Sequence, residues 1–136
     1  MNLAKYIDHT LLKPESTRAD IARICEEAKH YGTASVCVNP FWVGFVAEQL
    51  KDSDVKACCV IGFPLGATLP SVKAFETDEA IKNGAQEVDM VINVGAARGG
   101  EWDVVQSAFL RPVCKSGSFG TVRNGPADTY RRSHLL

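Results

Sequence analysis

An aspartate set inside an apolar run is the residue of this sequence that most suggests chemistry. Asp89 lies within Glu87-Val88-Asp89-Met90-Val91-Ile92-Asn93-Val94. Strand alternation puts Val88, Met90 and Ile92 on one face and Asp89, Val91 and Asn93 on the other. A buried carboxylate is costly unless a cation or several donors meet it. Two readings follow: a proton relay in which a lysine from elsewhere faces Asp89, or a structural ion pair or hydrogen-bonded core acid. Asp8, in Asp8-His9-Thr10, either positions a catalytic group or caps the turn into Thr10. Cys37 ends a short apolar run, where it is a reactive thiol beside a pocket or a buried inert one, with no adjacent cation to lower its pKa. His9 and His30 lack the spacing of metal ligands or of a nucleophile pair.

The elements that would position these residues alternate along the chain. Tyr6 to Leu12 reads as a strand interrupted by Asp8 and His9. Ser16 and Thr17 open a helix, with Asp20 as capping-box partner. Its buried face is Ile21, Ile24, Cys25 and Ala28, and Gly32 stops it. Ala34 to Val38 is a strand. Asn39-Pro40 starts a second helix, lined by Val43, Val46, Ala47 and Leu50. Val55 to Ile61 is nearly all apolar, as expected of a strand covered on both faces. A third helix runs from about Pro70 to Asn83, ended by Gly84, and Glu87 to Val94 is the last strand. Such alternation predicts an α/β fold with parallel pairing and right-handed crossovers. Periodicity alone does not choose between an open doubly wound sheet and a closed barrel. Neither the dinucleotide fingerprint nor the P-loop motif is present. In parallel α/β folds functional groups gather at the carboxyl ends of strands. That singles out Asp8-His9-Thr10, Cys37-Val38-Asn39, Gly62-Phe63-Pro64 and Asp89 to Asn93.

Composition narrows the function classes. The chain has 136 residues, 46% hydrophobic and 23% charged, with a net charge of -1. A packed core is expected, and no overall field selects nucleic acid or a membrane. No stretch approaches the roughly 20 apolar residues that span a bilayer, and the first ten residues do not read as a signal peptide. Cys25, Cys37, Cys58, Cys59 and Cys114 are odd in number, two are adjacent, and no C-x-x-C occurs. Neither a disulfide framework nor a zinc site is expected, and a reducing, cytoplasmic setting fits.

Four segments together resemble the deoxyribose-phosphate aldolases. They are Ile7-Asp8-His9-Thr10-Leu11-Leu12-Lys13-Pro14, Ser35-Val36-Cys37-Val38-Asn39-Pro40, Val60-Ile61-Gly62-Phe63-Pro64-Leu65-Gly66, and Gly84 to Asn93. They occur in the family's order and cover about residues 2–107. The resemblance implies a (β/α)8 barrel, with about four strands expected here, and reversible cleavage of 2-deoxy-D-ribose 5-phosphate into glyceraldehyde 3-phosphate and acetaldehyde. It implies a lysine Schiff base as electron sink, with no metal or cofactor, and a small phosphorylated sugar as partner. By motif match the proton-transferring aspartate is Asp89, supported by Asp8, Thr10 and Cys37 near the pocket.

The pattern changes near residue 107. Up to Ser107 the net charge is -5, and from Ala108 to Leu136 it is +4. The later stretch loses its apolar periodicity and reads as a basic, irregular or disordered tail, divergent or frameshifted, with no aromatic pattern for nucleic acid. The family's imine-forming lysine belongs to a later strand, in a motif resembling V-K-T-S-T-G-F-G. Val113-Cys114-Lys115-Ser116-Gly117-Ser118-Phe119-Gly120-Thr121 echoes it only with a gap, which makes Lys115 a weak Schiff-base candidate. Two other readings stay open: an inactive, truncated half-barrel acting as a binding or interaction module, and a different lysine-dependent barrel enzyme. A half-barrel leaves sheet edges, so self-association is expected.

Overall fold

The computed structural model describes residues 3–108 and the backbone of Thr121–Asn124. Five parallel strands run in the order in which they occur in the chain: β1 (Asp8–Leu11), β2 (Ser35–Val38), β3 (Lys56–Ile61), β4 (Glu87–Met90) and β5 (Thr121–Asn124). Between them lie α1 (Arg18–Tyr31), α2 (Val43–Leu50), α3 (Pro70–Lys82) and the short α4 (Val94–Arg98). Residues 102–108 are also helical. An open doubly wound sheet reverses its strand order at a switch point. This sheet never reverses, so the progression is that of a barrel wall with its helices on one side.

Local chemistry explains the first crossover. The Thr17 side chain accepts from the Asp20 amide at 3.3 Å, and the Asp20 carboxylate accepts from the Thr17 amide at 2.9 Å. Gly32, at φ 65°, ends α1 in the left-handed conformation that other residues enter only with strain. Ile21, Ile24, Cys25 and Ala28 are the buried face of α1, as the period predicts. Replacing Thr17 by alanine is expected to cost about 1 kcal/mol, seen as a lowered urea midpoint at matched protein concentration.

Two apolar clusters divide the sheet by face. Val36, Val38, Ala57, Cys59, Ile61, Val88 and Met90 pack with the helices in the main core. Cys37, Cys58 and Val60 form a smaller cluster on the other face, with Leu12 against it. Alternation therefore splits each strand between a helix-covered side and the side that would be the inside of a barrel.

Three boundaries differ from the sequence reading by two residues or more. A 3-10 turn, Leu3–Tyr6, precedes β1, so the strand begins at Asp8. Another, Pro40–Trp42, precedes α2. The last predicted strand stops at Met90, not Val94, because the Asn93 side chain accepts from the Ala96 amide at 3.1 Å and starts α4. The expectation of about four strands is met by β1 to β4, and β5 adds a fifth within the stretch read as an irregular tail. The remainder of residues 109–136 lies outside the described residues.

Candidate active site

The inner face of the sheet brings together most of the residues that the sequence singled out. Register aligns Asp8 with Ser35, Thr10 with Cys37, and Cys37 with Cys58. Cys58 in turn lies beside Glu87, and Val60 beside Asp89. Parallel pairing thus sets carboxylates on β1 and β4 and thiols on β2 and β3 along one face of the sheet.

Asp89 is partly buried on this surface. The Cys37 thiol donates to its Oδ2 at 3.6 Å. Thiols are weak donors, and this contact orients the carboxylate. Cys37 itself is 2% exposed. Cys58 donates or accepts in a thiol pair with Cys37, and that contact first, then burial, pushes the Cys58 thiol far above its ordinary range. Cys58 is therefore a neutral wall beside the carboxylate. Cys59, one residue on and facing the helices, is pushed up to about 12, mainly by burial. These thiols are free and buried.

The Asp8 side chain ties two strands together. Its Oδ1 accepts from Ser35 Oγ at 2.7 Å, bridging β1 and β2, while the Thr10 hydroxyl donates to the Asp8 backbone carbonyl at 2.8 Å. Thr10 is exposed and Asp8 partly buried. His9 points the other way and meets Glu27 of α1 at 2.7 Å, a structural tie between strand and helix. The pairing of Asp8 with Ser35 escaped the sequence reading because it depends on inter-strand register, which no local pattern encodes.

The two ends of the strands differ. At the amino end, Lys56 Nζ meets Glu87 Oε1 at 2.9 Å, and Glu87 is 2% exposed. That pair anchors the floor of the sheet, at the end opposite the one where the sites of parallel barrels gather. At the carboxyl end the loops are tied to one another. Asn39 Nδ2 donates to the Leu12 carbonyl at 3.1 Å, and the Gly62 amide donates to Glu76 Oε2 at 2.7 Å. Gly66, at φ 63°, lies so close to the β4 end that an added Cβ would stand 1.9 Å from the Ile92 carbonyl oxygen. Only glycine fits there.

Sequence reasoning missed one basic group at this rim. Lys73 of α3 is 1% exposed, and its Nζ donates to the Val91 carbonyl at 2.7 Å. Burial lowers its pKa from the ordinary lysine value. No apolar period marked its position, because the buried face of α3 is Lys73, Ala74, Thr77 and Ala80. Lys115, by contrast, lies outside the described residues. An open groove lined by Phe63, Pro64, Leu65, Val72 and Phe75 flanks the β3–α3 loop and includes none of Asp8, Thr10, Cys37 or Asp89. Among the described residues no helix is long and apolar enough to cross a membrane.

Comparison with known proteins agrees with this geometry. Residues 2–114 match the model of the DeoC/LacD family aldolases. A deoxyribose-phosphate aldolase of Streptococcus suis is 60% identical over 117 residues, which are 86% of this chain and 53% of that protein. One from a Geobacillus species is 66% identical over 105 residues, 77% of this chain and 47% of that protein. A solved structure assigned as a deoxyribose-phosphate aldolase of Coccidioides immitis superposes with a TM-score of 0.84 at 34% identity, covering 90% of this chain and 48% of that one. The chain spans about half the length of the curated relatives it matches.

Proposed function

This chain belongs to the DeoC/LacD aldolase family, and from that premise we propose that it carries the proton-transfer wall of a deoxyribose-phosphate aldolase site. The observation that carries the reading is Asp89, a carboxylate on the inner face of a parallel barrel wall, held by the Cys37 thiol. In reversible cleavage of 2-deoxy-D-ribose 5-phosphate, a lysine imine draws electrons from the breaking carbon–carbon bond. Asp89 accepts and returns the proton that this bond change displaces. Asp8, through Ser35, and Thr10 shape the β1 side of the pocket, and Cys37 orients Asp89. The phosphorylated sugar is the partner, and the buried free thiols suit a reducing cytosol. The imine-forming lysine is Lys115 or a lysine from the part of the barrel that the described residues do not include.

The decisive experiment grafts the 105 residues matched by the Geobacillus relative into that protein in place of its own segment. Borohydride added with deoxyribose 5-phosphate should then trap a lysine adduct, located by peptide mass spectrometry, and the chimera should turn over substrate. A folded chimera that neither traps nor turns over substrate would refute the aldolase reading. The same trapping applied to the unaltered chain decides Lys115: an adduct there assigns it the imine, and no adduct leaves the chain alone as an inactive half-barrel.

We also propose that the chain by itself self-associates. Among the described strands β1 pairs only with β2 and β5 only with β4, so each outer edge offers its backbone groups to another strand. Sedimentation should show dimers or larger species that grow with concentration. A monodisperse monomer with a cooperative melt would overturn this.

A further inference from the structure

Cys37, Cys58 and Asp89 come from three adjacent strands, and each offers one ligand atom to a common point, all within 4.8 Å of one another. Cys37 Sγ and Asp89 Oδ2 are 3.6 Å apart. Around a tetrahedral ion with metal–sulfur bonds of about 2.3 Å and metal–oxygen bonds of about 2.1 Å, neighbouring ligand atoms stand roughly 3.5–3.8 Å apart. One edge of the triangle already has that length, and the others need a closure of about 1 Å at most, within the reach of small χ1 adjustments. The strands hold the three Cα positions by parallel pairing, with Cys37 directly beside Cys58. The cluster sits on the inner face, whereas Cys25 and Cys59 belong to the helix-covered core.

We propose that Cys37, Cys58 and Asp89 form a binding site for a thiophilic divalent cation of the zinc type, and that occupancy inhibits the protein instead of serving its chemistry. Two sulfurs and one carboxylate oxygen make three legs of a tetrahedron, and the fourth position is left to water. Written from the thiol forms, coordination releases two protons: M²⁺ + 2 RSH + RCOO⁻ gives the bis-thiolate carboxylate complex, of charge -1, and 2 H⁺. The cation supplies the driving force for this ionisation. Soft thiolates select such ions over magnesium or calcium. A bound ion removes the Asp89 carboxylate from proton transfer. The site itself stands independently of the aldolase reading, and only its effect on turnover rests on that reading.

Cadmium chloride added to the full chain, with the thiols kept reduced by a phosphine, tests the site without any substrate. The expected result is a thiolate-to-cadmium charge-transfer band that saturates at one equivalent, with two protons released per ion. Cys37→Ser and Cys58→Ser should each weaken binding by at least about 10- to 100-fold, the loss seen even for indirect partners of a metal site. Asp89→Asn should weaken it as well, while Cys25→Ser, Cys59→Ser and Cys114→Ser leave the titration unchanged. The chemical shift of bound ¹¹³Cd on the unaltered chain reads the number of sulfur ligands and needs no variant to fold. A two-sulfur shift supports the site. A three- or four-sulfur shift, no band, or a band that survives Cys37→Ser or depends on Cys114 would overturn it.

Discussion

Asp89→Asn, introduced into the Geobacillus chimera, is expected to lower kcat by about two to four orders of magnitude, the usual contribution of a placed acid–base group. Asparagine matches the carboxylate in shape, and its carbonyl oxygen can still accept from the Cys37 thiol, which lies 3.6 Å from Oδ2 in the parent chain. The wall should therefore keep its geometry, and KM should move little. What disappears is the ability to take up a proton. A fall in kcat with unchanged KM is the signature of an interaction made in the transition state alone. Cys37→Ala provides the contrast. It removes a weak donor and leaves the carboxylate in place, so its effect on kcat should be far smaller. If Asp89→Asn keeps activity within about tenfold, Asp89 is a hydrogen-bonded structural acid, the other reading that the sequence left open.

How much of this site was legible in advance depended on which physical rule wrote it. Asp89 and Cys37 could be found because a two-residue period separates a strand's faces, and a charged residue on an apolar strand stands out. The same rule grouped Val88 and Met90 on the opposite face, and that face packs against the helices. The contact between Cys37 and Asp89 was not legible, since it joins residues 52 apart in sequence across an intervening strand. The Asp8–Ser35 bond was hidden for the same reason, although both residues lay in quoted motifs. The choice between an open doubly wound sheet and a barrel wall could not be read from periodicity either. It follows from strand order, which is a property of the assembled sheet.

Boundaries failed where a side chain competed with the backbone pattern. Val91 and Ile92 continue the apolar run, but Asn93 caps α4 and pulls the chain out of the sheet. Strand β5 shows the converse. Thr121-Val122-Arg123-Asn124 is short and half polar, set among glycines and charges, and nothing local marks it as a strand. Its backbone nevertheless pairs with β4, from Glu87 beside Thr121 to Met90 beside Asn124. Helix α3 was placed correctly by its Pro70 start and Gly84 stop. Its buried face escaped notice because Lys73 and Thr77 share it with Ala74 and Ala80, which blurs the apolar period.

Lys73 therefore supports the second large expectation. Lys73→Ala in the chimera should destabilise the fold by roughly 2–4 kcal/mol, comparable to truncating a long buried apolar side chain, and should lower the urea midpoint accordingly. The Lys73 stem fills the space beneath the β3–α3 loop, where Cε would lie 3.0 Å from a Cβ on Gly62. Its ammonium also satisfies the Val91 carbonyl, two residues beyond Asp89. Lys73→Met separates these contributions. It keeps the stem and removes the donor, so it should cost less than alanine, about 1–2 kcal/mol for a carbonyl left without its partner. The two proteins should also differ in their response to alkali. Burial depresses the folded pKa of Lys73 below its unfolded value, so between those two pKa values the unfolded chain binds more protons than the folded one. Stability contributed by this residue must then rise with pH through that window. The parent chimera should gain on the Met variant as the pH climbs towards the ordinary lysine range, and paired urea titrations at neutral and alkaline pH would measure the gain. A gap between the two that stays constant with pH would mean that the amine keeps its ordinary pKa and is not held in a desolvated place.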